Sequence, residues 1–332
     1  MKATVKLYLL RTIKTMALPV ITIIILGLLT GGRSLNGRVL LVSLKQSILL
    51  IIMSIAIFGN MTLGMLDFSA GGVVLASAII GGNLMMMTGT GIPGLIFFCM
   101  LSGVVLASLT GFLNNKLRIP IVVLTLGMML VYEAIPRALF FGGAIIGSAY
   151  TKMALQPWIF IILGLVLVAF YVLYNHTTYG HNIRALGGNE EIAKNAGLNP
   201  PKIKQIGFTI SGVFLGVAAA LYMSINGSVT NVAMFGSLPI VFNGLTGVLL
   251  AVFLSRYCNI VIGILIGNYT LTVLINGLVS LGVSATLRDA LQGAAILIVM
   301  VISANQGRLK KWRADKERKA IAERSYVPDR RR

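Results

Sequence analysis

The side chains that could do chemistry are concentrated in one polar stretch, residues 176–205. It contains both histidines, His176 and His181, which stand five residues apart without a cysteine, so we do not expect a metal site there. At its centre two glycines permit a sharp turn, Asn189 is a good N-cap, and Glu190 and Glu191 favour the positive end of a helix. The pattern predicts a short helix whose docking partner is the functional question.

Two further carboxylates, Asp67 and Glu133, lie at or inside apolar segments. A charge within a membrane is costly, so such residues are functional candidates. Two structural roles compete with that interpretation. Asp67 can cap the helix that follows it, and Glu133 can pair with Arg137 four residues later. Asp67 can also do both, capping a helix while it borders a polar pathway.

Catalytic and nucleotide-binding patterns are missing from the sequence. No Gly-Lys dipeptide occurs, which excludes a Walker A loop. The run Gly89-Thr90-Gly91-Ile92-Pro93-Gly94 matches a dinucleotide fingerprint, but it follows an apolar segment and not a strand, so it predicts a turn. Cys99 and Cys258 lie far apart in apolar segments and are interpreted as small apolar residues. We therefore expect no enzyme activity, no cofactor and no metal in this chain.

The elements that position these residues are apolar helices. The chain of 332 residues is 57% hydrophobic and 11% charged, with a mean hydropathy of +0.90, and a soluble domain cannot bury that much apolar surface. The apolar runs predict an all-α polytopic membrane protein with about ten transmembrane helices. The predicted spans are 16–32, 46–65, 68–88, 92–113, 120–141, 157–175, 206–226, 239–255, 259–281 and 288–305. The run 239–255 is short for a hydrocarbon core of about 30 Å, so it is expected to be tilted, broken or re-entrant.

Basic residues predict the orientation. Of the 28 lysines and arginines, 11 lie beyond residue 307 and most others lie between apolar runs, which is typical of a membrane topology signal and not of a nucleic-acid groove. Placing the N-terminus inside gives 22 basic residues in the cytoplasm and six outside, although Arg33, Arg38 and Lys45 fall on the unfavoured side. We expect cytoplasmic N- and C-termini, an uncleaved first helix and a cytoplasmic loop at 176–205.

The sequence divides into a transmembrane domain, residues 1–307, which includes the cytoplasmic loop 176–205, and a basic cytoplasmic tail, residues 308–332. The tail can fix the topology, touch anionic lipid headgroups or meet an acidic face of a partner. Few ionisable groups lie within the apolar runs, whereas a proton- or sodium-coupled carrier normally has several. These features favour a transporter or channel subunit that draws its energy from another polypeptide.

Three motifs, in this order, resemble a known family. They are Leu66-Asp67-Phe68-Ser69-Ala70-Gly71, then Lys116-Leu117-Arg118-Ile119-Pro120 with Leu124-Thr125-Leu126-Gly127-Met128-Met129, then Ala185-Leu186-Gly187-Gly188-Asn189-Glu190-Glu191 with Ala193 and Gly197. From about residue 40 to 308 the chain resembles the permease subunits of bacterial ABC importers for ribose and other simple sugars. Wider relatives of that family import nucleosides, autoinducer-2 or branched-chain amino acids.

The resemblance implies a multi-pass subunit of the bacterial inner membrane, in contact with lipids. It also implies cytoplasmic ATPase subunits, a periplasmic or lipid-anchored sugar-binding protein, and a second permease chain in a homo- or heterodimer; no nucleic-acid partner is expected. In such importers a coupling helix of the permease sits in a cleft of the ATPase. The residues that match this region are Gly187, Gly188, Asn189, Glu190, Glu191, Ala193 and Gly197, and Gly197 with Pro200-Pro201 is expected to end the helix.

One segment departs from the family pattern. The family has a glycine-rich run between its eighth and ninth spans, whereas residues 243–259 of this chain keep few glycines. We therefore expect this chain to work beside a second, more typical permease.

Four polar residues are the predicted translocation-pathway groups: Asn60, Asp67, Ser69 and Thr125. Neutral hydrogen-bonding groups suit sugars, although each of these residues could equally pack or cap a helix. Substrate choice is expected to lie mainly with the binding protein. The sequence leaves open an ABC permease for nucleosides, autoinducer-2 or branched-chain amino acids, an ATP-independent secondary carrier, and a structural membrane subunit.

Overall fold

The computed structural model describes residues 2–117, 119–255 and 257–284, and beyond them residues 287, 290, 291, 293, 294, 297 and 301. For residues 2–14 it describes the backbone. Up to residue 282 the described chain forms helices α1 Lys2–Leu29, α2 Gly37–Thr62, α3 Ser69–Thr88, α4 Gly91–Leu117, α5 Ile121–Phe140, α6 Trp158–His176, α7 Thr178–Gly188, α8 Glu190–Asn195, α9 Pro200–Asn226, α10 Leu238–Leu254 and α11 Ile260–Ser280. Two 3₁₀ segments, Arg33–Leu35 and Ser148–Ala154, and strands β1 Gly143–Ile145 and β2 Ser228–Thr230 complete it.

Seven of the described helices are long and apolar enough to cross a membrane: α2, α3, α4, α5, α6, α9 and α11. Two shorter apolar stretches, Thr15–Leu29 and Leu238–Leu254, coincide with the first and eighth predicted spans. The tenth predicted span, 288–305, lies mostly outside the described residues, and the tail 308–332 lies wholly outside them. The count of about ten spans therefore stays a prediction.

Helices α2 and α9 begin well before the predicted spans. Helix α2 begins at Gly37, nine residues before the predicted span at 46, because the side chain of Asn36 accepts a hydrogen bond from the backbone N–H of Arg38 at 3.0 Å. Helix α9 begins at Pro200, where Asn199 caps the N–H of Lys202 at 3.2 Å. The two prolines were expected to end the preceding helix. They begin the next one instead. Proline has no backbone N–H, and the N–H groups of the first helical turn have no partner within the helix, so no hydrogen bond is lost there.

Glycines bring α4 and α9 into the largest helix contact of the described bundle. A Cβ atom added to Gly103 would lie 2.6 Å from the carbonyl oxygen of Gly212, and one added to Gly216 would lie 2.4 Å from the Cα of Met100. The two backbones therefore touch directly, as small residues permit in membrane helices.

Helix α3 is the most deeply buried of the candidate spans and contacts α4, α5, α9 and α10. Its first turn, Ser69-Ala70-Gly71-Gly72, has small side chains. A Cβ added to Gly71 would lie 2.4 Å from the carbonyl oxygen of Ser237, just before α10. The start of α3 therefore packs closely against the start of α10.

A short antiparallel ladder joins the segments that follow α5 and α9. Gly143 pairs with Thr230 and Ile145 with Ser228. Asn83 of α3 donates to the carbonyl of Gly143 at 3.0 Å, so the ladder is tied to the central helix. This ladder is a small addition to the all-α fold that hydropathy predicts.

Candidate functional site

The polar stretch between α6 and α9 folds into two short helices instead of one. Thr177 caps α7 by accepting from the N–H of Gly180 at 3.3 Å. Asn189 caps α8 by accepting from the N–H of Ile192 at 3.0 Å, with Glu190 and Glu191 in the first turn, so the helix start predicted there is confirmed. Sequence reasoning missed α7, whose capping threonine is its one local signal.

The two central glycines have different environments. Gly187 lies in the last turn of α7, where an added Cβ would be 2.0 Å from the carbonyl oxygen of Thr62 at the end of α2. An added Cβ at Gly188 would meet nothing within 4 Å. Neither has a positive φ, so the sharp turn expected of this pair is wrong; Gly187 instead permits a close approach. Gly197 does have a positive φ, of 89°, three residues before α9.

A small apolar cluster fastens α7 and α8 to the bundle. We call it the loop cluster; its buried members are Leu63, Met65, Ile183, Leu186, Ala193, Ile203 and Phe208. The first two belong to the turn between α2 and α3, residues 63–68, and the others to α7, α8 and α9. The loop cluster therefore joins α7 and α8 to the α2–α3 turn by direct side-chain packing.

The opposite face of α8 is open. Ile192 is 67% exposed, and Glu191 beside it is also exposed. Glu190 instead forms an ion pair with Lys204 of α9, with Nζ–Oε1 at 2.8 Å, which at this exposure contributes about 0–1 kcal/mol. Helix α8 thus has an apolar inner face and an outer face with one exposed isoleucine and one exposed carboxylate.

Asp67 caps the start of α3, which is one of the roles that the sequence allowed for it. Its Oδ1 accepts from the N–H of Ser69, the first residue of α3, at 3.0 Å, and from the Ser69 hydroxyl at 2.5 Å. Asn60 Nδ2 donates to its Oδ2 at 3.4 Å. The side chain is 3% exposed, so the cap is buried within the bundle.

The hydrogen bonds continue beyond Ser69. Its hydroxyl lies 3.5 Å from Thr110 Oγ1 on α4, which lies 2.8 Å from the hydroxyl of Tyr132 on α5. Tyr132 in turn donates to the carbonyl of Leu106 at 2.6 Å. We call Asn60, Asp67, Ser69, Thr110 and Tyr132 the Asp67 relay. Thr110 and Tyr132 were not predicted, because nothing in their own helices indicates that they meet.

Thr125 lies beside the same turn but outside the relay. Its hydroxyl donates to the carbonyl of Leu66 at 3.4 Å or to that of Val122 at 3.3 Å. All four predicted pathway residues are therefore brought to the α2–α3 turn, and all are buried in this conformation.

The partners of Asp67 in the described chain are neutral. Burial raises the pKa of Asp67 from its ordinary value of 3.8 to about 6, and the hydrogen bonds from Ser69 and Asn60 oppose that rise. Asn60 Oδ1 is buried and, within the described residues, has no hydrogen-bond partner. An unsatisfied buried acceptor is costly, so the relay is held together at some expense in stability.

Glu133 holds the start of α10. Its carboxylate accepts from the N–H of Phe235 at 2.9 Å, from the N–H of Ser237 at 2.8 Å and from the Ser237 hydroxyl at 2.6 Å. Arg137 donates to the carbonyl of Val232 at 3.2 Å in the same segment. The pair of Glu133 with Arg137 is therefore wrong: both residues bind residues 231–237, whose backbone groups need partners inside the bundle.

The segment with few glycines, residues 243–259, keeps two at close contacts. A Cβ added to Gly247 would lie 2.1 Å from Asn268 Oδ1 of α11 and 2.5 Å from Ser54 Oγ of α2. A Cβ added to Gly244 would lie 3.0 Å from Ile57. Three helices thus meet around a polar contact, in which Asn268 donates to Ser54 at 3.0 Å.

No group of three or more histidine, cysteine or acidic side chains that could hold a metal ion occurs among the described residues.

Comparison with known proteins places this arrangement in a family. The family described as branched-chain amino acid transport system, permease component, matches residues 39–300. The autoinducer 2 import system permease protein of Photorhabdus luminescens is 26% identical over 257 residues, which are 74% of this chain and 74% of the relative. No solved structure matches the chain.

Two sugar permeases of Escherichia coli (strain K12) are also similar. The galactose/methyl galactoside import permease is 27% identical over 287 residues, which are 79% of this chain and 84% of the relative. The ribose import permease is 28% identical over 216 residues, which are 60% of this chain and 65% of the relative. The matched residues 39–300 make up most of the chain and include the Asp67 relay, Glu133 and both short helices. The chain therefore belongs to this permease-component family, and it is a multi-pass membrane transport subunit and not an enzyme.

Proposed function

We propose that this chain is the permease of an ATP-driven importer for a small neutral solute, and that this solute is a monosaccharide. The observation that carries the proposal is the two-faced helix α8. Its inner side is buried in the loop cluster through Ala193, and its outer side offers Ile192 and Glu191. Two relatives are named as ribose and galactose permeases, which supports a sugar as the solute.

The proposed assembly contains two cytoplasmic ATPase subunits, a second permease chain and a periplasmic or lipid-anchored binding protein. The chain lies in the bacterial inner membrane with about ten spans and with both termini in the cytoplasm. Basic residues support this orientation, because Lys116, Arg184, Lys194, Lys202 and Lys204 lie at the end of the bundle that carries α7 and α8.

Seven residues form the proposed ATPase-coupling segment: Gly187, Gly188, Asn189, Glu190, Glu191, Ala193 and Gly197. Closure of the ATPase subunits on ATP would displace α8, and the loop cluster would pass that displacement to residues 63–68. The contact of Gly187 with Thr62 supports the same route, because it joins α7 directly to the end of α2.

The proposed translocation-pathway residues are Asn60, Asp67, Ser69 and Thr125. Because they are buried beside the α2–α3 turn, we place them at an inner gate that becomes accessible when this turn moves. Three of them, Asn60, Ser69 and Thr125, are neutral hydrogen-bonding groups, which suit the hydroxyl groups of a sugar.

Uptake by reconstituted vesicles tests the proposal. The permease, its ATPase partner and its binding protein are incorporated together, and radiolabelled ribose and galactose are followed with ATP, without ATP and without the ATPase. We expect accumulation only when ATP and the ATPase are both present. Gradient-driven uptake that needs neither would contradict the proposal and favour a secondary carrier.

A second solute class is favoured by relatives that are named as autoinducer 2 permeases. The same vesicles distinguish the two. Competition of unlabelled autoinducer 2 with labelled ribose, at equal concentrations, would reveal which one the assembled importer prefers.

A further inference from the structure

A cavity of about 530 Å³ opens at the end of the bundle that carries α7 and α8. It lies between the ends of α2 and α6, helix α7, and the turn from α10 to α11. Its volume is in the range of small-ligand sites, about 300–1,000 Å³. The end of α2 contributes to its walls, but none of its lining residues belongs to the Asp67 relay or is a buried member of the loop cluster. The cavity is therefore a separate feature of the molecule.

One described side chain in the cavity wall carries a positive charge. Among the described residues that line it, Arg184 is charged and none is a carboxylate. The Arg184 guanidinium lies over the ring of Tyr174 at 4.9 Å, and its Nε donates to the carbonyl of Gly180 at 3.0 Å. These contacts fix the group in place while leaving its charge without an acidic partner in the described chain.

Neutral donors and a helix terminus surround the cation. Asn259 caps α11 by accepting from the N–H of Val261 at 3.0 Å, so the positive end of that helix faces the cavity. Asn259 also donates to Asn175 of α6 at 3.3 Å, across the cavity wall. Together with Arg184, this wall presents positive potential and hydrogen-bond donors, which suit a phosphate group.

The remaining lining residues are mostly apolar. They are Phe58, Met61, Val252, Cys258 and Ile260, together with the polar Thr62 and Ser255. Tyr171 lies one turn before the lining residue Tyr174 on α6, and Tyr257 precedes the lining residue Cys258 in the α10–α11 turn; each is about half exposed. Exposed tyrosines at the ends of spans are typical of the level at which lipid headgroups lie. A polar wall and an apolar wall at the level of the headgroups match the headgroup and the acyl chains of a lipid. A free anion would need the polar wall alone.

We propose that this cavity binds the phosphodiester headgroup of an anionic phospholipid, with Arg184 as its charge partner and the apolar wall against the first carbons of the chains. The site is independent of the solute that the permease transports. A bound lipid would bridge α2, α6, α7 and α11, so a membrane that contains anionic phospholipid would stabilise the position of α7.

Lipid binding to the purified full chain in a non-ionic detergent tests the proposal. Dioleoyl phosphatidylglycerol and, as the zwitterionic probe, dioleoyl phosphatidylcholine are titrated separately, and binding is followed by native mass spectrometry. We expect phosphatidylglycerol to bind more tightly. Arg184→Gln should weaken it about fivefold and leave phosphatidylcholine unchanged. The matched control is Arg38→Gln, which removes an exposed arginine at the far end of α2 and should leave phosphatidylglycerol binding unchanged.

Because Arg184 also packs on Tyr174, its replacement removes a packing contact as well as a charge. A second variant therefore keeps Arg184 and fills the cavity. Ser255→Trp, at an exposed lining position, should weaken phosphatidylglycerol binding with Arg184 intact. Equal affinity for the two lipids would overturn the proposal, as would unchanged affinity in both cavity variants. Displacement of phosphatidylglycerol by inorganic phosphate at comparable concentration would also overturn it, because it would mark a site for a free anion.

Discussion

Asp67 is an acidic residue whose chemistry the fold changes. Its carboxyl is buried among neutral groups, and the pKa is raised from 3.8 to about 6. Since the folded-state pKa lies above the ordinary value, the neutral carboxyl stabilises the fold fully below about pH 4, and that stability is lost as the pH rises through 6.

Replacing Asp67 by asparagine tests this titration. Asp67→Asn keeps the size of the side chain and removes the charge, so its stability should not share the loss between pH 4 and pH 7. We expect the wild type to lose up to about 3 kcal/mol relative to the variant over this interval. Thermal unfolding in detergent at stepped pH measures it. Thr125→Val, beside the same turn, should keep the wild-type slope, and parallel profiles of wild type and Asp67→Asn would refute the assignment.

Gly187 and Gly188 provide a matched pair at the same scale. An added methyl group at Gly187 collides with the carbonyl of Thr62, whereas one at Gly188 meets open space. Gly187→Ala should therefore lower the free energy of unfolding by about 1–3 kcal/mol and reduce ATP-driven uptake, while Gly188→Ala should leave the free energy of unfolding nearly unchanged. Unfolding midpoints and vesicle uptake of the two variants decide it. Equal behaviour would mean that α7 does not rest on α2 as described.

At the scale of elements, two helices have starts that are bound by a buried carboxyl group outside the helix. Helix α3 begins just after Asp67, and the segment before α10 is bound by Glu133, so in both cases a buried carboxyl binds the N-terminal groups. The partners of Glu133 lie more than 100 residues away in the chain, at positions 235 and 237. Sequence reasoning placed this short apolar helix correctly near 239–255 but could not find what holds its beginning.

Loss of the Glu133 carboxylate should loosen the start of α10. Glu133→Ala leaves two backbone N–H groups buried without an acceptor, at about 1–3 kcal/mol each. Glu133→Gln retains one acceptor oxygen and should cost less. Arg137→Gln, which loses one exposed hydrogen bond to the same segment, is the control with the smallest expected effect. We expect the unfolding midpoint to be highest for Arg137→Gln, lower for Glu133→Gln and lowest for Glu133→Ala. A midpoint of Glu133→Ala above those of the other two variants contradicts the role.

The open face of α8 is where a partner should be sensitive to charge. Glu191→Lys changes an exposed side chain, so we expect a normal unfolding midpoint but loss of ATPase association and of uptake by about tenfold or more. Lys152→Glu, an exposed charge reversal in the 3₁₀ segment Ser148–Ala154, should leave ATPase association unchanged. Retained association and uptake in Glu191→Lys would remove α8 from the coupling role. Co-purification of the variant with its ATPase measures association directly.

At the scale of the whole molecule, hydropathy was sufficient for most long helices, since a spanning helix must be apolar along its length. Local capping chemistry was sufficient for the start of α8, where Asn189 and two glutamates act within one turn. The remainder depended on distant partners. Helix α7 is placed by Thr62, and Thr110 and Tyr132 join the Asp67 relay only because three helices meet there. No local pattern encodes such meetings.

The expectation of a second, different permease also belongs to this scale. It rests on the scarcity of glycines in residues 243–259 and stays a prediction. Two differently tagged copies of this chain, expressed with the rest of the importer, test it. We expect the active complex to contain one copy of this chain and one of another permease. An active complex in which both tags are recovered together, with no other permease, would contradict it.

The backbone contact between α4 and α9 has a mechanical consequence. Where Gly103 meets Gly212 and Gly216 no side chain lies between the helices, so neither can slide or roll without steric collision. We therefore expect the two helices to move together in any change of access. The flexible points of such a change are expected outside this pair, at the α2–α3 turn and at residues 231–237.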